Sequence, residues 1–243
     1  MSTKYFMKKI TAVFFDAGNT FLSPCKSIGK IYAQLAKEIG YIFSSEAMDD
    51  RISEAWEKHL CLKKARNFQC TNDTLIKDWK HFVRNVLPEN ISANDFDKLF
   101  YHIFTRFGEA EFYTLANGFI DTISTLKEMN LQLGLVSNWD NRLLTLLKAF
   151  NLYSLFDTLT ISYEAGVEKP NTKIYNIACQ RIKVLPENAL MIGDSINGDI
   201  EAPESIGMTG MLYDPKILKP NWRGPILHSW KHPDTLFAFF TTE

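Results

Sequence analysis

The sequence has few cysteines, and none of them is arranged as in a disulfide-rich or zinc-binding protein. Its 243 residues include four cysteines: Cys25, Cys61, Cys70 and Cys179. No pair has the C-x-x-C spacing of a zinc or redox site, and no histidine stands near them in a metal-binding pattern. Reduced thiols are therefore expected, as in a cytoplasmic protein.

The chain also lacks a large net charge and a long apolar run. Its 27 basic and 28 acidic residues leave a formal net charge of −1, which favours neither nucleic acid nor an anionic membrane surface. The N-terminal segment carries Lys4, Lys8 and Lys9, and its apolar run is too short for a signal peptide or a membrane span. The expectation is a monomer or homodimer with no nucleic-acid or membrane partner.

One stretch near the N-terminus organises the rest of the chain. Apolar residues from Ala12 to Phe15 are typical of a buried strand, and the strand ends at Asp16. Ala17, Gly18 and Asn19 then favour a sharp turn. Open α/β sheets bind ligands beyond the carboxyl ends of their strands, so Asp16 is a candidate functional residue. This stretch alone leaves a second interpretation open, a solvated aspartate in an ordinary turn.

Helical periodicity dominates between residues 24 and 110, without a convincing strand. Four amphipathic helices are predicted there, which start at Ser27, at Ser44–Glu46, at Thr71–Asp73 and at Ser92–Asn94. Thr71–Asp73 is expected to cap the third of them. The second of them is expected to run on as one helix through His59. The block therefore predicts a helical bundle inserted after the first strand.

Strands and helices alternate from Ala116 onward. The further predicted strands are Leu131–Val136, Leu159–Ser162, Ala189–Ile192 and Thr209–Tyr213, and a helix is predicted from Asp199 to Ile206 before the last of them. Alternation of this kind predicts a parallel sheet with right-handed crossovers, to which the first strand also belongs. The expected fold class is α/β, with a Rossmann-like core formed by residues 1–22 and 112–243 and an inserted α-helical domain formed by residues 23–111.

The predicted strand ends bring together polar and charged side chains that could bind a metal or take part in catalysis. They are Asp16, Ser137, Asn138, Lys169, Asp194 and, one turn later, Asp199. Three carboxylates at one edge would repel one another without a divalent cation, and oxygen ligands alone suit Mg²⁺. A hydroxyl and a lysine suit the oxygens of a phosphoryl group, and an aspartate at the end of the first strand is placed to act as a nucleophile.

In these residues the chain resembles the haloacid dehalogenase-like (HAD) hydrolases. The first family motif, h-h-h-h-D-x-D-G-T, is matched by Phe14–Thr20 with two departures, and the second, which ends in serine, by Leu133–Ser137. The motif lysine is matched by Lys169, and the fourth motif, G-D-x-x-x-x-D, by Gly193–Asp199. The helical insertion lies where the family has its C1-type cap. The first motif resembles the branch that includes the rhythmically expressed gene 2 protein and haloacid dehalogenase-like hydrolase domain-containing protein 3.

This resemblance implies a role for each matched residue. Asp16 would form an aspartyl-phosphate on a small phosphorylated metabolite, Ser137 would bind a phosphoryl oxygen, and Lys169 would balance charge. Thr20 and Asn138 would support the loop and the substrate entrance. The expected Mg²⁺ ligands are Asp16, the carbonyl group of Gly18, Asp194 and Asp199.

Gly18 is the main departure from the family pattern. Family phosphatases have an aspartate there that protonates the leaving oxygen and activates water, and such general acid–base catalysis contributes roughly 10²–10⁴ in rate. The first interpretation is a slow or leaving-group-selective phosphatase, in which a cap residue could replace the acid. The candidates for that acid are Glu46, Asp49, Glu57 and His59.

Two other interpretations stay open. The chain could be a phosphonatase-like C–P hydrolase that forms a Schiff base on a cap lysine, for which the candidates are Lys58, Lys63 and Lys64. It could instead be a pseudo-hydrolase that binds metal and ligands and acts through partners. Retention of Asp16, Lys169 and Asp194 argues against the pseudo-hydrolase. Dehalogenation is disfavoured because the chain keeps Asp194 and Asp199.

Overall fold

The computed structural model describes residues 9–240, so Lys4 and Lys8 of the basic N-terminal segment lie outside the described residues. Contacts divide the chain into two compact units. Met1–Leu22, Leu115–Asn138 and Ser154–Glu243 form the first, here called the sheet unit. Ser23–Thr114 and Trp139–Tyr153 form the second, here called the helical unit.

The strands occur in both halves of the sequence. In chain order they are β1 Ala12–Phe15, β2 Leu22–Pro24, β3 Tyr113–Leu115, β4 Gln132–Ser137, β5 Thr158–Ile161, β6 Ala189–Gly193, β7 Thr209–Tyr213 and β8 Ile226–Leu227. Six of them form one sheet in the order β5-β4-β1-β6-β7-β8, and every pair in it is parallel. β2 and β3 pair with each other where the chain passes between the two units.

Eleven α-helices lie within the described residues. They are α1 Ile28–Glu38, α2 Ser45–Asp49, α3 Ile52–Ala65, α4 Asn72–Val86, α5 Ala93–Arg106, α6 Phe119–Glu128, α7 Arg142–Ala149, α8 Ser162–Ala165, α9 Lys173–Arg181, α10 Ala202–Glu204 and α11 Asp234–Phe237. Short 3₁₀ turns cover Ala110–Phe112, Tyr153–Leu155 and Pro186–Asn188, and a π-helical segment covers Ile196–Glu201. In this part of the chain no helix combines the length and apolar character needed to cross a membrane.

β1 lies in the middle of the sheet, and all four of its side chains are buried. On one face Phe14 packs with residues of α9, and on the other Phe15 contacts Phe119 edge-on at 5.7 Å between ring centroids. Gly134 lies opposite Phe14 in the β1–β4 register. A side chain at Gly134 would collide with the Phe14 ring. Burial on both faces explains why β1 is continuously apolar, and it confirms the predicted α/β parallel sheet.

The helical unit confirms most of the predicted helix starts. Ser27, Ser44, Thr71 and Ser92 each accept a hydrogen bond from the first turn of the helix that follows, so each caps its helix, as was predicted at Thr71. The predicted helix from Ser44 to His59 is wrong, because α2 and α3 are separate helices. The carboxylate of Asp49, at the end of α2, accepts hydrogen bonds from the start of α1.

Three elements of the second half differ from the expectation. Residues 139–153, which contain α7, group with the helical unit rather than with the sheet unit. Arg142 accounts for this, since it donates to the Phe104 carbonyl at 2.6 Å and its guanidinium lies 3.7 Å from the centre of the Phe104 ring. The helix predicted from Asp199 to Ile206 is instead the π-helical segment followed by α10. The strand β8 was not predicted.

Candidate active site

The predicted site residues of the sheet unit meet at the carboxyl edge of its three central strands. Asp16 follows β1, Ser137 ends β4, and Asp194 follows β6. β1 pairs with both β4 and β6, so Asp16 stands between the other two residues. Its backbone N–H donates to the carbonyl of Ile192 at 2.9 Å, which continues the ladder one residue beyond β1. Parallel topology therefore brings together side chains that are far apart in sequence.

Two donors hold the Asp16 carboxylate by the same oxygen. The Ser137 hydroxyl donates to Oδ1 at 3.0 Å, and Lys169 Nζ donates to Oδ1 at 2.6 Å. Asp16 is only 7% exposed, so both interactions are shielded from solvent. Within residues 9–240, no hydrogen bond to Oδ2 accompanies them. The carboxylate is thus fixed in direction while one oxygen is left able to react.

Lys169 is placed by the side chain of Asn138. Asn138 Nδ2 donates to the Lys169 carbonyl at 2.9 Å, and the Lys169 N–H donates to Asn138 Oδ1 at 2.7 Å. Lys169 Nζ then bridges Asp16 and Asp199, at 2.6 Å from each carboxylate. Burial alone would lower the pKa of Lys169, but the two adjacent carboxylates raise this pKa above its ordinary value. The ammonium group is therefore a permanent positive charge in the site.

The π-helical segment directs Asp199 into the protein, where it is fully buried. The Ser195 N–H donates to Asp199 Oδ2 at 3.0 Å, while Ser195 Oγ accepts from the Gly198 N–H at 3.0 Å. The Tyr175 hydroxyl donates to the Gly198 carbonyl. A side chain at Gly193 would collide with the Asp199 carboxyl group. The fourth motif thus needs its glycine for space, and π-helical turns recur at functional sites.

Asp16, Asp194 and Asp199 form an acidic cluster in which one carboxylate oxygen from each lies within 4.8 Å of the others. Burial, followed by the charges of Asp16 and Asp199, raises the pKa of Asp194 to about 7. Burial also raises the pKa of Asp199 to about 6, against the opposing effect of Lys169. One lysine cannot neutralise three carboxylates, and this set of oxygen donors without nitrogen or sulfur fits a hard divalent cation.

The loop after Asp16 has a distinctive backbone. Asn19 adopts a left-handed φ of 56° and donates its N–H to the Leu22 carbonyl at 2.8 Å. Gly18 does not have a positive φ, so its conformation does not require glycine. Thr20 is buried, and its Oγ1 has no hydrogen-bond partner among the described residues. The roles of Thr20 and Asn138 toward a substrate stay predictions.

Several supporting residues were missed by the sequence reasoning. Ser195 lies inside the fourth motif, and its capping pattern with Gly198 could have been recognised. Tyr175 follows the lysine motif at helical spacing, but only the fold brings its hydroxyl to Gly198. No local signal pointed to Trp230, whose indole N–H donates to the Thr20 carbonyl at 2.8 Å across 210 residues of sequence.

The predicted replacement acids belong to the helical unit, where several have structural partners. Asp49 accepts from the Gly29 N–H at 2.8 Å, and Glu46 accepts from the hydroxyls of Ser44 and Ser45. Glu57 is exposed. Burial lowers the pKa of His59 to about 3, so at neutral pH its ring is uncharged and is a poor proton donor. Hydrogen bonds from its own backbone N–H and from Ser45 and Ser44 lower the pKa of Glu46, so Glu46 is not a carboxylic acid kept protonated for catalysis.

The predicted Schiff-base lysines also lie in the helical unit. Lys58 and Lys64 are exposed, and Lys63 is half-buried. Lys58 pairs with Glu54 at 2.8 Å and donates to Asn85 at 3.2 Å. A lysine that forms Schiff bases is usually activated by burial in an apolar pocket or by a second cation. The exposure of Lys58 and Lys64 does not favour that chemistry.

Comparison with known proteins gives consistent matches over most of the chain. The sequence model described as haloacid dehalogenase-like hydrolase matches residues 10–207. Haloacid dehalogenase-like hydrolase domain-containing protein 3 of Xenopus laevis is 25% identical over 231 residues, or 92% of this chain and 93% of that protein. Ribulose-1,5-bisphosphate 5-phosphatase of Halopiger xanaduensis is 25% identical over 215 residues, or 84% of this chain and 85% of that protein.

A solved structure shares the fold. The HAD-hydrolase YfnB of Bacillus subtilis, in a crystal structure bound to magnesium, aligns with a TM-score of 0.73 and 18% sequence identity. The alignment covers 96% of this chain and 100% of that chain. The likeness confirms the α/β architecture.

Proposed function

Since the chain belongs to the haloacid dehalogenase-like hydrolase family, we propose that this hydrolase is a phosphatase that acts on a small phosphorylated molecule through Asp16. The predicted resemblance to the family is confirmed, as is the resemblance to the branch that includes haloacid dehalogenase-like hydrolase domain-containing protein 3. The phosphatase name of the Halopiger xanaduensis relative supports phosphate as the transferred group. The helical unit is proposed to be the substrate-selecting cap.

The observation that carries the proposal is the fixed carboxylate of Asp16. Asp16 Oδ2 would attack phosphorus while the bond from phosphorus to the leaving oxygen breaks and its electron pair stays on that oxygen. Water would then attack the same phosphorus while the bond from phosphorus to Asp16 Oδ2 breaks. The proton from the water goes to the departing inorganic phosphate, and the carboxylate of Asp16 is restored. Ser137 and Lys169, which already hold the other oxygen of Asp16, are placed to donate to the phosphoryl oxygens.

The acidic cluster fits Mg²⁺, which would be held by Asp16, Asp194, Asp199 and the carbonyl of Gly18. When bound, this ion supplies positive charge that offsets the repulsion between the carboxylates and the phosphate. The chain itself contributes the orientation of the carboxylates. The Ser195 N–H and Lys169 Nζ each bind one oxygen of Asp199, so that group is fixed before any ligand arrives.

The absence of a carboxylate at Gly18 predicts strong dependence on the leaving group. The leaving groups of aryl and acyl phosphates depart without a proton, whereas the leaving group of an alkyl phosphate needs one. We expect phosphate release from an aryl ester such as p-nitrophenyl phosphate in Mg²⁺, and a rate on alkyl esters lower by about 10²–10⁴-fold. Chelation with EDTA is expected to abolish both activities. Phosphate release across a series of esters of graded leaving-group pKa measures the effect.

Two outcomes of that series would contradict the proposal. Equal rates on alkyl and aryl esters would show that another residue supplies the acid. Failure to hydrolyse any ester, despite measurable Mg²⁺ binding, would favour the pseudo-hydrolase or the phosphonatase interpretation. A phosphonate with a β-carbonyl group, tested beside the esters, separates those two interpretations.

The raised pKa values of the acidic cluster predict how Mg²⁺ stabilisation depends on pH. On folding, the pKa of Asp194 rises from 3.8 to about 7, so without metal the folded state binds protons more tightly than the unfolded state. The contribution of this cluster to the free energy of unfolding is therefore greatest below about pH 4, and this contribution is lost as pH rises through about 7. Since Mg²⁺ replaces those protons, its addition is expected to raise Tm more at pH 8 than at pH 5.

Thermal unfolding with and without Mg²⁺ at the two pH values measures this difference. The matched control is Asp194→Asn, which removes one titrating carboxylate and keeps the shape of the side chain. In that variant the Mg²⁺-dependent rise in Tm is expected to shrink at pH 8. If Mg²⁺ raises the Tm of the wild-type protein by the same amount at both pH values, the assignment of the metal to this cluster is contradicted.

A further inference from the structure

Trp230 lies beyond residues 10–207, which match the family, yet it contacts the loop that follows the nucleophile. Its indole Nε1 donates to the carbonyl oxygen of Thr20 at 2.8 Å, and Trp230 is 1% exposed. The ring centroid of Trp230 is also 5.9 Å from that of Phe15, the residue immediately before Asp16. One side chain therefore contacts the residues on both sides of the segment from Asp16 to Asn19.

Trp230 is itself held firmly in the sheet unit. Its carbonyl accepts a hydrogen bond from the Thr122 hydroxyl at 2.7 Å. Its ring stacks on Tyr213 at 5.2 Å and meets Phe119 edge-on at 5.0 Å. The backbone at residues 230 and 231 lies so close to Gly118 that an added Cβ would come within 2.6 Å of Lys231. These contacts make the indole a rigid donor.

The loop is held internally by backbone hydrogen bonds to the Ala17 carbonyl. This carbonyl accepts from the N–H groups of Thr20, Phe21 and Leu22 at 3.3, 3.1 and 3.0 Å. Within residues 9–240, Thr20 Oγ1 has no partner. The hydrogen bond from Trp230 therefore restrains the Thr20 carbonyl from outside the loop, in addition to the hydrogen bonds that the loop makes within itself. Gly18, whose carbonyl is an expected Mg²⁺ ligand, lies two residues away.

We propose that Trp230 is a positioning residue, whose indole N–H holds the loop from Asp16 to Thr20 in the geometry needed for metal binding and phosphoryl transfer. The proposal rests on the proposed function of Asp16. It assigns a role in the site to the C-terminal segment outside the family match. A shift of about 1 Å in a catalytic group can cost 10²-fold in rate, so a single lost restraint on this loop has a large effect.

The test is Trp230→Phe, which keeps an aromatic ring and removes the N–H donor. We expect kcat on p-nitrophenyl phosphate to fall by about 10- to 100-fold with KM changed by less than about 3-fold. Mg²⁺ affinity, measured by isothermal titration calorimetry, is expected to weaken in the same variant. The matched control is Trp222→Phe, which makes the same substitution at an indole that donates to the Pro225 carbonyl instead.

A second variant covers the case in which Trp230→Phe does not fold. Thr122→Val is nearly isosteric and removes only the hydrogen bond to the Trp230 carbonyl, so a smaller fall in kcat, about 3- to 10-fold, is expected. Wild-type kcat and Mg²⁺ affinity in the folded variants would overturn the proposal, even if Tm falls. If the original protein hydrolyses no ester but Trp230→Phe still weakens Mg²⁺ binding, the positioning role stands and the phosphatase proposal fails.

Discussion

Replacement of Asp16 by asparagine is expected to reduce phosphate release by about 10⁴-fold or more, because the amide cannot form the aspartyl-phosphate. The amide oxygen can still accept from Ser137 and Lys169, so the geometry of the site is expected to survive. Asparagine also removes one of the three clustered carboxylates, which lowers their repulsion. The variant should therefore be inactive without being less stable in the absence of metal at pH 8.

Steady-state phosphate release and thermal unfolding together check this expectation. The matched control is Asp121→Asn, the same substitution at an exposed position of α6. Its activity should equal that of the original protein. Acid quenching during turnover, followed by peptide mass analysis, should find phosphate on the peptide that contains residue 16 in the wild-type protein and not in Asp16→Asn. Turnover of Asp16→Asn within 10-fold of the original protein would exclude a covalent mechanism at this residue.

The sequence was sufficient to predict the residues that meet at the sheet edge. The strands β1, β4, β5, β6 and β7 were recognisable from local patterns, and a parallel sheet has one carboxyl edge. Asp16, Ser137 and Asp194 therefore had to meet once the strands were assigned. The helix starts at Ser27 and Thr71 were predictable for a similar reason, since a capping side chain bonds to a backbone group only a few residues away.

Long-range contacts could not be predicted in this way. Residues 139–153 follow β4 directly, but Arg142 packs on Phe104, so tertiary contacts decide the unit to which α7 belongs. Within the π-helical segment, the burial of Asp199 against Lys169 is likewise a long-range contact that a periodic pattern does not reveal. The hydrogen bond from Trp230 to Thr20 joins residues 210 positions apart, so no local pattern reveals it.

Restoration of the missing acid is the second large effect that the structure predicts. Gly18→Asp is expected to raise turnover of alkyl phosphates by about 10²–10⁴-fold, while rates on aryl phosphates change little. Gly18 is half-buried and lacks a positive φ, so an aspartate can be introduced without left-handed backbone strain. The protonated carboxyl group would give its proton to the leaving oxygen, and the resulting carboxylate would then accept a proton from the attacking water.

Gly18→Asn is the control that distinguishes proton donation from the presence of a side chain. Asparagine has nearly the same shape as aspartate and cannot act as an acid. If Gly18→Asp accelerates alkyl ester hydrolysis and Gly18→Asn does not, the missing proton limits the original enzyme. If neither changes the rate while both bind Mg²⁺ and fold, the acid comes from elsewhere or the loop does not direct residue 18 toward the leaving group. Where Gly18→Asp does accelerate alkyl ester hydrolysis, loss of that gain in the double variant with Trp230→Phe would show that the loop restrained by Trp230 places the new acid.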